Sequence, residues 1–246
     1  MIVLAIDTCE ARGSIAILND DAVLQVAPHT SAEEYSSWLL PAVNLALESA
    51  KSTFAEVDVF VAASGPGSFT GVRIGLTTVK AWSEVFNKPI VAVSRLEAVA
   101  VQSKSEAPYV ASLIDAQRGQ IFGALYKRGA DELTLIDQEM VASPEVFLDW
   151  VDQQVAGNDQ QVAGNEVAWI SIDPDALGTH ASWQGRAARG EEIQRVPAVL
   201  APLIGKIAVP RAKKGHVLDA LSVDANYVRR SYVEVFQKGP AHVPGK

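Results

Sequence analysis

Two carboxylates and one glycine-rich stretch are the residues of this chain best placed to do chemistry. Asp7 ends an apolar run, Ile2 to Ile6, and Asp115 ends another, Tyr109 to Ile114. Paired carboxylates at strand ends can hold a metal or activate water. The same residue type also caps turns through its own backbone, so each Asp has a structural role open to it as well. Thr8 and Ser14 near the first carboxylate, and Gly119 beyond the second, are the candidate phosphate contacts.

The glycine-rich stretch is SGPGSFTGVRIG, Ser64 to Gly75. It follows an apolar run, Val57 to Ala63, and precedes a helical pattern, Val72 to Phe86. Ser68 or Thr70 can cap that helix. Gly71 and Gly75 stand one turn apart on one face, and Thr78 continues the stripe. Glycine inside a helix costs about 1 kcal/mol against alanine, so something must approach this backbone closely. Two readings stand. The turn can hold phosphate on the helix N–H groups, or it is a tight turn followed by a small face for helix packing. No Lys-Ser/Thr follows the last glycine, so this is not a Walker loop. Phe69 and Thr70 break the dinucleotide spacing.

Cys9 is the single cysteine, which excludes an intrachain disulfide and points to a reducing compartment. Beside an N-terminal strand it reads as a small packed residue. His29, His180, His216 and His242 are scattered, and no pair has the H-x-x-x-H spacing of a helix-borne metal site. Neither a catalytic residue nor a metal site is expected in this chain.

The elements that must position these residues come from an ordinary globular composition. The chain has 246 residues, 48% hydrophobic and 20% charged, which suits one large domain or two lobes. Its net charge of −8 argues against gripping nucleic acid alone, since phosphate contacts need a basic face. No apolar run is long enough to span a bilayer, and a cytoplasmic location is expected. The first strands form an antiparallel meander. A helix is expected from Ala32 to Lys51, with Ser31 and Glu34 as a capping box. Its apolar band is wider than one stripe, so it has a second face to bury. The duplicated DQQVAGN in residues 152–165 reads as a surface loop.

The second half repeats the first. LAIDTCEARGSIAIL, Leu4 to Leu18, and YVASLIDAQRGQIF, Tyr109 to Phe122, each give a strand ending in Ile-Asp, a polar turn with Arg-Gly, and a second strand. An internal repeat of this kind marks a duplicated domain. The fold expected is α/β and two-lobed, of the actin-like (ribonuclease H-like) kind, with a mixed sheet in each lobe. The lobes are expected at 1–105 and 106–235, with a flexible tail at 236–246.

Several segments carry a resemblance. AIDT at Ala5 to Thr8, Leu-Leu-Pro at Leu39 to Pro41, GPGSFTGVRIG at Gly65 to Gly75, Ser-Arg-Leu-Glu at Ser94 to Glu97, Asp-Ala-Gln-Arg-Gly at Asp115 to Gly119 and Tyr-Val-Arg at Tyr227 to Arg229 together resemble the TsaB (YeaZ) family. The resemblance implies a non-catalytic scaffold subunit in the formation of threonylcarbamoyladenosine in tRNA, next to the anticodon. It implies a heterodimer with TsaD through the helices of the first lobe, recruitment of TsaE, and contact with tRNA only through the complex. A homodimer is the expected state when the partner is missing. ATP and a metal are then expected in the partner subunits and no cofactor in this chain. Tyr35, Trp38, Leu39, Gly71, Gly75 and Thr78 are the expected partner-binding residues, and Gly75→Leu is expected to leave a folded chain that no longer binds. Two rival readings are a glycoprotease-like peptidase and a small-molecule kinase of the actin-like class. A protein substrate such as casein tests the first and ATP binding by the isolated chain the second.

Overall fold

The computed structural model describes residues 1–30, 33–130, 132–158, 166–226 and 228. Two five-stranded sheets share one topology. The first is built from β1 (Ile2–Asp7), β2 (Ser14–Asn19), β3 (Ala22–Pro28), β4 (Val59–Ala63) and β5 (Ile90–Val93), in the order β3-β2-β1-β4-β5. The second is built from β6 (Tyr109–Gln117), β7 (Gln120–Arg128), β8 (Leu133–Ala142), β9 (Val167–Ser171) and β10 (Ile193–Arg195), in the order β10-β9-β6-β7-β8. In each sheet three strands form an antiparallel meander. The fourth then joins the first in parallel, and the fifth joins the fourth in parallel. The repeat seen in the sequence is thus a repeat of whole sheets.

Strand β1 is buried on both faces, which accounts for its unbroken apolar run. Helices α1 (Tyr35–Ser49) and α2 (Phe69–Phe86) cover one face, and α7 (Ala201–Lys213), which follows the short α5 (Asp175–Gly178) and α6 (Gln184–Ala188), covers the other. Alternation along β1 carries this arrangement: Ile6 faces Gly75 of α2, whereas Ala5 faces Gly205 of α7. On β7, Gly123 faces Phe147 of α4 (Pro144–Asn158), while Phe122, Ala124 and Tyr126 join the core between the sheets.

The division expected after residue 105 is crossed twice. Helix α3 (Arg95–Ala100) comes from the first half and packs on β6, β7 and β9. Helix α7 comes from the second half and packs on β1, β2, β4 and β5. Gly205 permits this, since a Cβ there would stand 2.4 Å from a Leu18 methyl. One apolar core therefore runs through both sheets, with α3 and α7 in contact inside it.

Two expectations need correction. Helix α1 begins at Tyr35 with Glu34 as its N-cap and no side-chain cap, so Glu34 does not fill the capping-box position. Ser31 and Ala32 lie outside the described residues. A capping box does form at Thr53 and Glu56, on the short 3-10 turn Phe54–Glu56. The first DQQVAGN copy is not a loop: it is the last part of α4, held by buried Val155. The second copy, the Tyr227 and Arg229 positions of the Tyr-Val-Arg motif, and the tail at 236–246 lie outside the described residues.

Candidate functional site

The site is the junction of the β1–β2 turn with the glycine-rich turn that leads into α2. Gly65 has φ 108°, and the Gly65–Pro66 peptide is cis. Ser68 caps α2, its hydroxyl accepting from the Gly71 N–H at 3.3 Å. The Ser68 N–H donates to the Cys9 carbonyl at 2.6 Å. Thr8 donates its hydroxyl to the Gly71 carbonyl at 2.6 Å.

The glycines face the end of β1. A Cβ on Gly67 would stand 2.4 Å from the Cys9 carbonyl oxygen, one on Gly71 2.1 Å from that of Thr8, and one on Gly75 2.6 Å from the Thr8 hydroxyl. Gly71 and Gly75 are thus packed within their own lobe, while Thr78 is half-buried. Gly75→Leu would have to displace the Thr8 hydroxyl, which already stands 2.6 Å from a Cβ at that position.

Arg95 organises the centre of the site. It is fully buried, and its Nε donates to Asp7 Oδ2 at 3.0 Å. Its Nη1 donates to the Pro66 carbonyl at 3.2 Å, and its Nη2 lies 2.9 Å from Glu10 Oε1. Burial opposes the guanidinium charge, but Asp7 and Glu10 outweigh it and hold Arg95 above its ordinary pKa. The other Asp7 oxygen accepts from the Cys9 N–H at 2.9 Å. Asp7 is thus a buried carboxylate with both oxygens engaged. Cys9 is buried as well, its thiol pushed well up by burial and by Asp7, which leaves it inert.

The charges continue across to the second lobe. Glu10 is followed by Arg12, whose Nη2 lies 3.3 Å from Glu10 Oε2 and 2.7 Å from Asp173 Oδ1, just beyond β9. Asp7, Arg95, Glu10, Arg12 and Asp173 thus form one chain of alternating charge.

The remaining candidates are also occupied. Ser14 accepts from the Ala201 N–H at 3.1 Å and so satisfies the first turn of α7. Asp115 accepts from the Gln117 N–H at 2.7 Å and from its side-chain amide at 2.8 Å. Gly119 closes that hairpin at φ 72°, after Gln117 and Arg118, which also have positive φ, and faces open space. Asp7 and Asp115 occupy corresponding hairpins, but one is buried against an arginine and the other holds its own turn.

The expected partner residues divide in the same way. Leu39 is buried in the core. Tyr35 donates its hydroxyl to the Glu10 carbonyl and stacks on His29 at 4.2 Å. Burial raises the Tyr35 phenol above its usual pKa, and Asp7 adds to the rise. Gly13 makes room for that ring, since a Cβ there would stand 1.9 Å from the Tyr35 hydroxyl. Trp38 and Thr78 are half-buried, Trp38 meeting the His29 ring at 4.8 Å. The large apolar residues exposed on these helices are Leu40 and Leu45 of α1 and Phe69 and Val85 of α2.

Sequence reasoning missed Arg95 and Glu10. The signal was present: an arginine directly after the Ser94 cap of a short apolar helix has few reasons to be there. Among the described residues no group of three or more His, Cys, Asp or Glu side chains could hold a metal ion. No helix among them is long and apolar enough to cross a membrane.

Comparison with known proteins matches residues 18–185 to the family model "TsaD: tRNA N6-adenosine threonylcarbamoyltransferase". A Bacillus subtilis protein named tRNA threonylcarbamoyladenosine biosynthesis protein TsaB is 34% identical over 62% of this chain and 65% of its own length, just under two thirds. The Escherichia coli protein of the same name is 30% identical over 72% of this chain and 77% of its own. Among solved structures, a Pseudomonas aeruginosa protein described as similar to peptidase YEAZ superposes with a TM-score of 0.69 at 22% identity, covering 93% of this chain and 99% of its own. YeaZ from Pseudomonas aeruginosa gives 0.65 at 24%, covering 92% and 99%. The fold is the two-lobed actin-like one, and the chain belongs to the TsaB (YeaZ) family.

Proposed function

We propose that this chain takes part in the biosynthesis of threonylcarbamoyladenosine in tRNA as a non-catalytic subunit, next to a TsaD-type subunit that carries the chemistry. The observation that carries the reading is the self-contained site. Asp7, Thr8 and Ser14 spend their polar atoms on Arg95, Gly71 and α7, and nothing in this arrangement activates a nucleophile. The names of the bacterial relatives support the pathway. ATP and a metal belong to the partner subunits in this reading. TsaE joins the pair, tRNA is held through the complex, and the acidic chain works in the cytoplasm.

The partner face is the exposed side of α1 and α2. Leu40 and Phe69 replace Leu39, Gly71 and Gly75 as its anchors, because the latter three are buried in their own lobe. In the absence of TsaD the same face pairs with a second copy.

The test is reconstitution of tRNA modification with TsaD- and TsaE-type subunits, read by mass spectrometry of the nucleosides. The modified nucleoside is expected only when this chain is added, and none from this chain alone with ATP and tRNA. Equal yield without it would remove the subunit role, and product from the chain alone would make it the enzyme. The peptidase reading is tested on casein, where no cleavage is expected.

A further inference from the structure

His29 lies just past the end of β3, and its backbone N–H donates to the Gly13 carbonyl at 2.8 Å. The residue is buried, and its ring sits between the β1–β2 turn and the lead into α1. Nδ1 stands 2.8 Å from the Ala11 carbonyl oxygen, and Nε2 stands 2.8 Å from the Glu33 carbonyl oxygen. A carbonyl oxygen only accepts. A neutral imidazole has one N–H and one lone pair, so it serves one of these oxygens and turns a lone pair to the other. The imidazolium has two N–H groups and serves both.

The surroundings also suit a cation. The ring stacks on Tyr35 at 4.2 Å, and an aromatic face attracts a cation within about 6 Å. The β1–β2 turn brings Glu10 and Arg12, which are paired with each other, and Glu10 also holds Arg95. Beyond the Tyr35 hydroxyl lie Asp7, Arg95 and Cys9, of which Asp7 and Arg95 form an ion pair and Cys9 is buried. Gly13, Ser14 and Pro28 bring no charge. Glu33 and Glu34 precede the first turn of α1, where acidic residues offset the positive end of a helix.

We propose that His29 is a proton-dependent tie between the β1–β2 turn and the first turn of α1. Charged, the ring bridges Ala11 and Glu33; neutral, it lets one of them go. Glu33 is the one released, because the His29 backbone is itself bonded to Gly13, on the Ala11 side. The tie is complete at low pH and is lost as pH rises through the range in which imidazoles titrate. The Tyr35 hydroxyl, which donates to the Glu10 carbonyl, is a second tie, and burial keeps its proton in place over that range. What loosens is the stretch from Glu33 to Trp38. Glu33, Glu34, Ser37 and Trp38 also line a groove of about 800 Å³ between α1 and β3, whose shape follows the tie. The device does not depend on the function proposed above.

The test is nuclear magnetic resonance of the isotopically labelled full chain between about pH 5 and pH 8. The ring nitrogens of His29 report its charge. The Ser37 and Trp38 amides, which both donate to the Glu34 carbonyl at 3.0 Å, report the first turn of α1. Two ring N–H groups are expected at the low end and one at the high end. As the second N–H is lost, exchange of the two amides, corrected for its intrinsic pH dependence, is expected to speed up about tenfold, as for one lost hydrogen bond from a charged donor. His29→Phe keeps the stack but has no ring N–H, and is expected to show the faster exchange at every pH. A His29 ring whose N–H count does not change over this range would overturn the proposal. So would amides that ignore the change, or a folded His29→Phe variant that keeps the low-pH protection of the parent. The parent titration decides alone should the variant not fold.

Discussion

Asp7 and Asp115 begin as equivalent residues on equivalent hairpins, and one side chain separates their fates. Arg95 reaches Asp7 from the start of α3 and makes it one end of a fully buried ion pair. Such a pair gives little net stability over apolar residues of the same shape, yet breaking it is costly because a charge is left buried alone. Two carboxylates, Asp7 and Glu10, share the Arg95 cation. Arg95→Met is therefore expected to lower the unfolding free energy by about 3–5 kcal/mol. Urea unfolding followed by circular dichroism at neutral pH measures this. A loss below about 1 kcal/mol would mean that water reaches the pair and screens it.

At the scale of elements, the glycine-rich turn acts by contact. Three glycines let α2 settle on the end of β1, and the bond from Thr8 to Gly71 fixes the distance. Gly71→Ala would put a methyl 2.1 Å from a backbone oxygen, which has no soft way to move. Such overpacking costs about 1–3 kcal/mol, and thermal unfolding is expected to show the loss. Gly157→Ala in α4, where nothing lies within 4 Å of the added carbon, is expected to be neutral or to raise stability by up to about 1 kcal/mol. Losses of equal size at the two positions would leave the packing account without support. The apolar runs of β1, β4 and β6, the turn residues between β1 and β3, and the Ile-Asp repeat made the first sheet and the β6–β7 hairpin of the second readable from the sequence. Strand β8 was not readable. Its run LTLIDQEMVA is half-exposed at a sheet edge, and Asp137, Gln138 and Glu139 break the apolar alternation. The direction of the Gly71 stripe was not readable either. Spacing says which residues share a helix face, and only the tertiary fold says what that face meets.

At the scale of the molecule, the two duplicated sheets are tied to each other beside the β1–β2 turn. Arg12 reaches from the β1–β2 turn to Asp173 beyond β9, while Glu10 links it back to Arg95. The ligand most readily expected between two such hairpins is a nucleoside triphosphate with magnesium. It would bring several negative charges to a region that already holds Asp7, Glu10 and Asp173. Arg95 and Arg12 are committed to these carboxylates, and the hydroxyls of Thr8 and Ser14 are used inside the fold. Binding would have to break these contacts before making its own. Calorimetry with ATP and magnesium is therefore expected to show a Kd weaker than about 1 mM for the isolated chain. Arg12→Ala is the informative variant. It cuts a half-exposed bridge at a stability cost of about 0–1 kcal/mol, so the chain stays folded while the lobes lose one tie. If that bridge alone kept nucleotide out, Arg12→Ala would bind ATP with a Kd near 10 µM or below, on the order of −7 kcal/mol. The buried Arg95–Asp7 pair remains in the variant, and both oxygens of Asp7 stay engaged. No gain of ATP binding is therefore expected, and a low-micromolar Kd in either protein would return the kinase reading to first place.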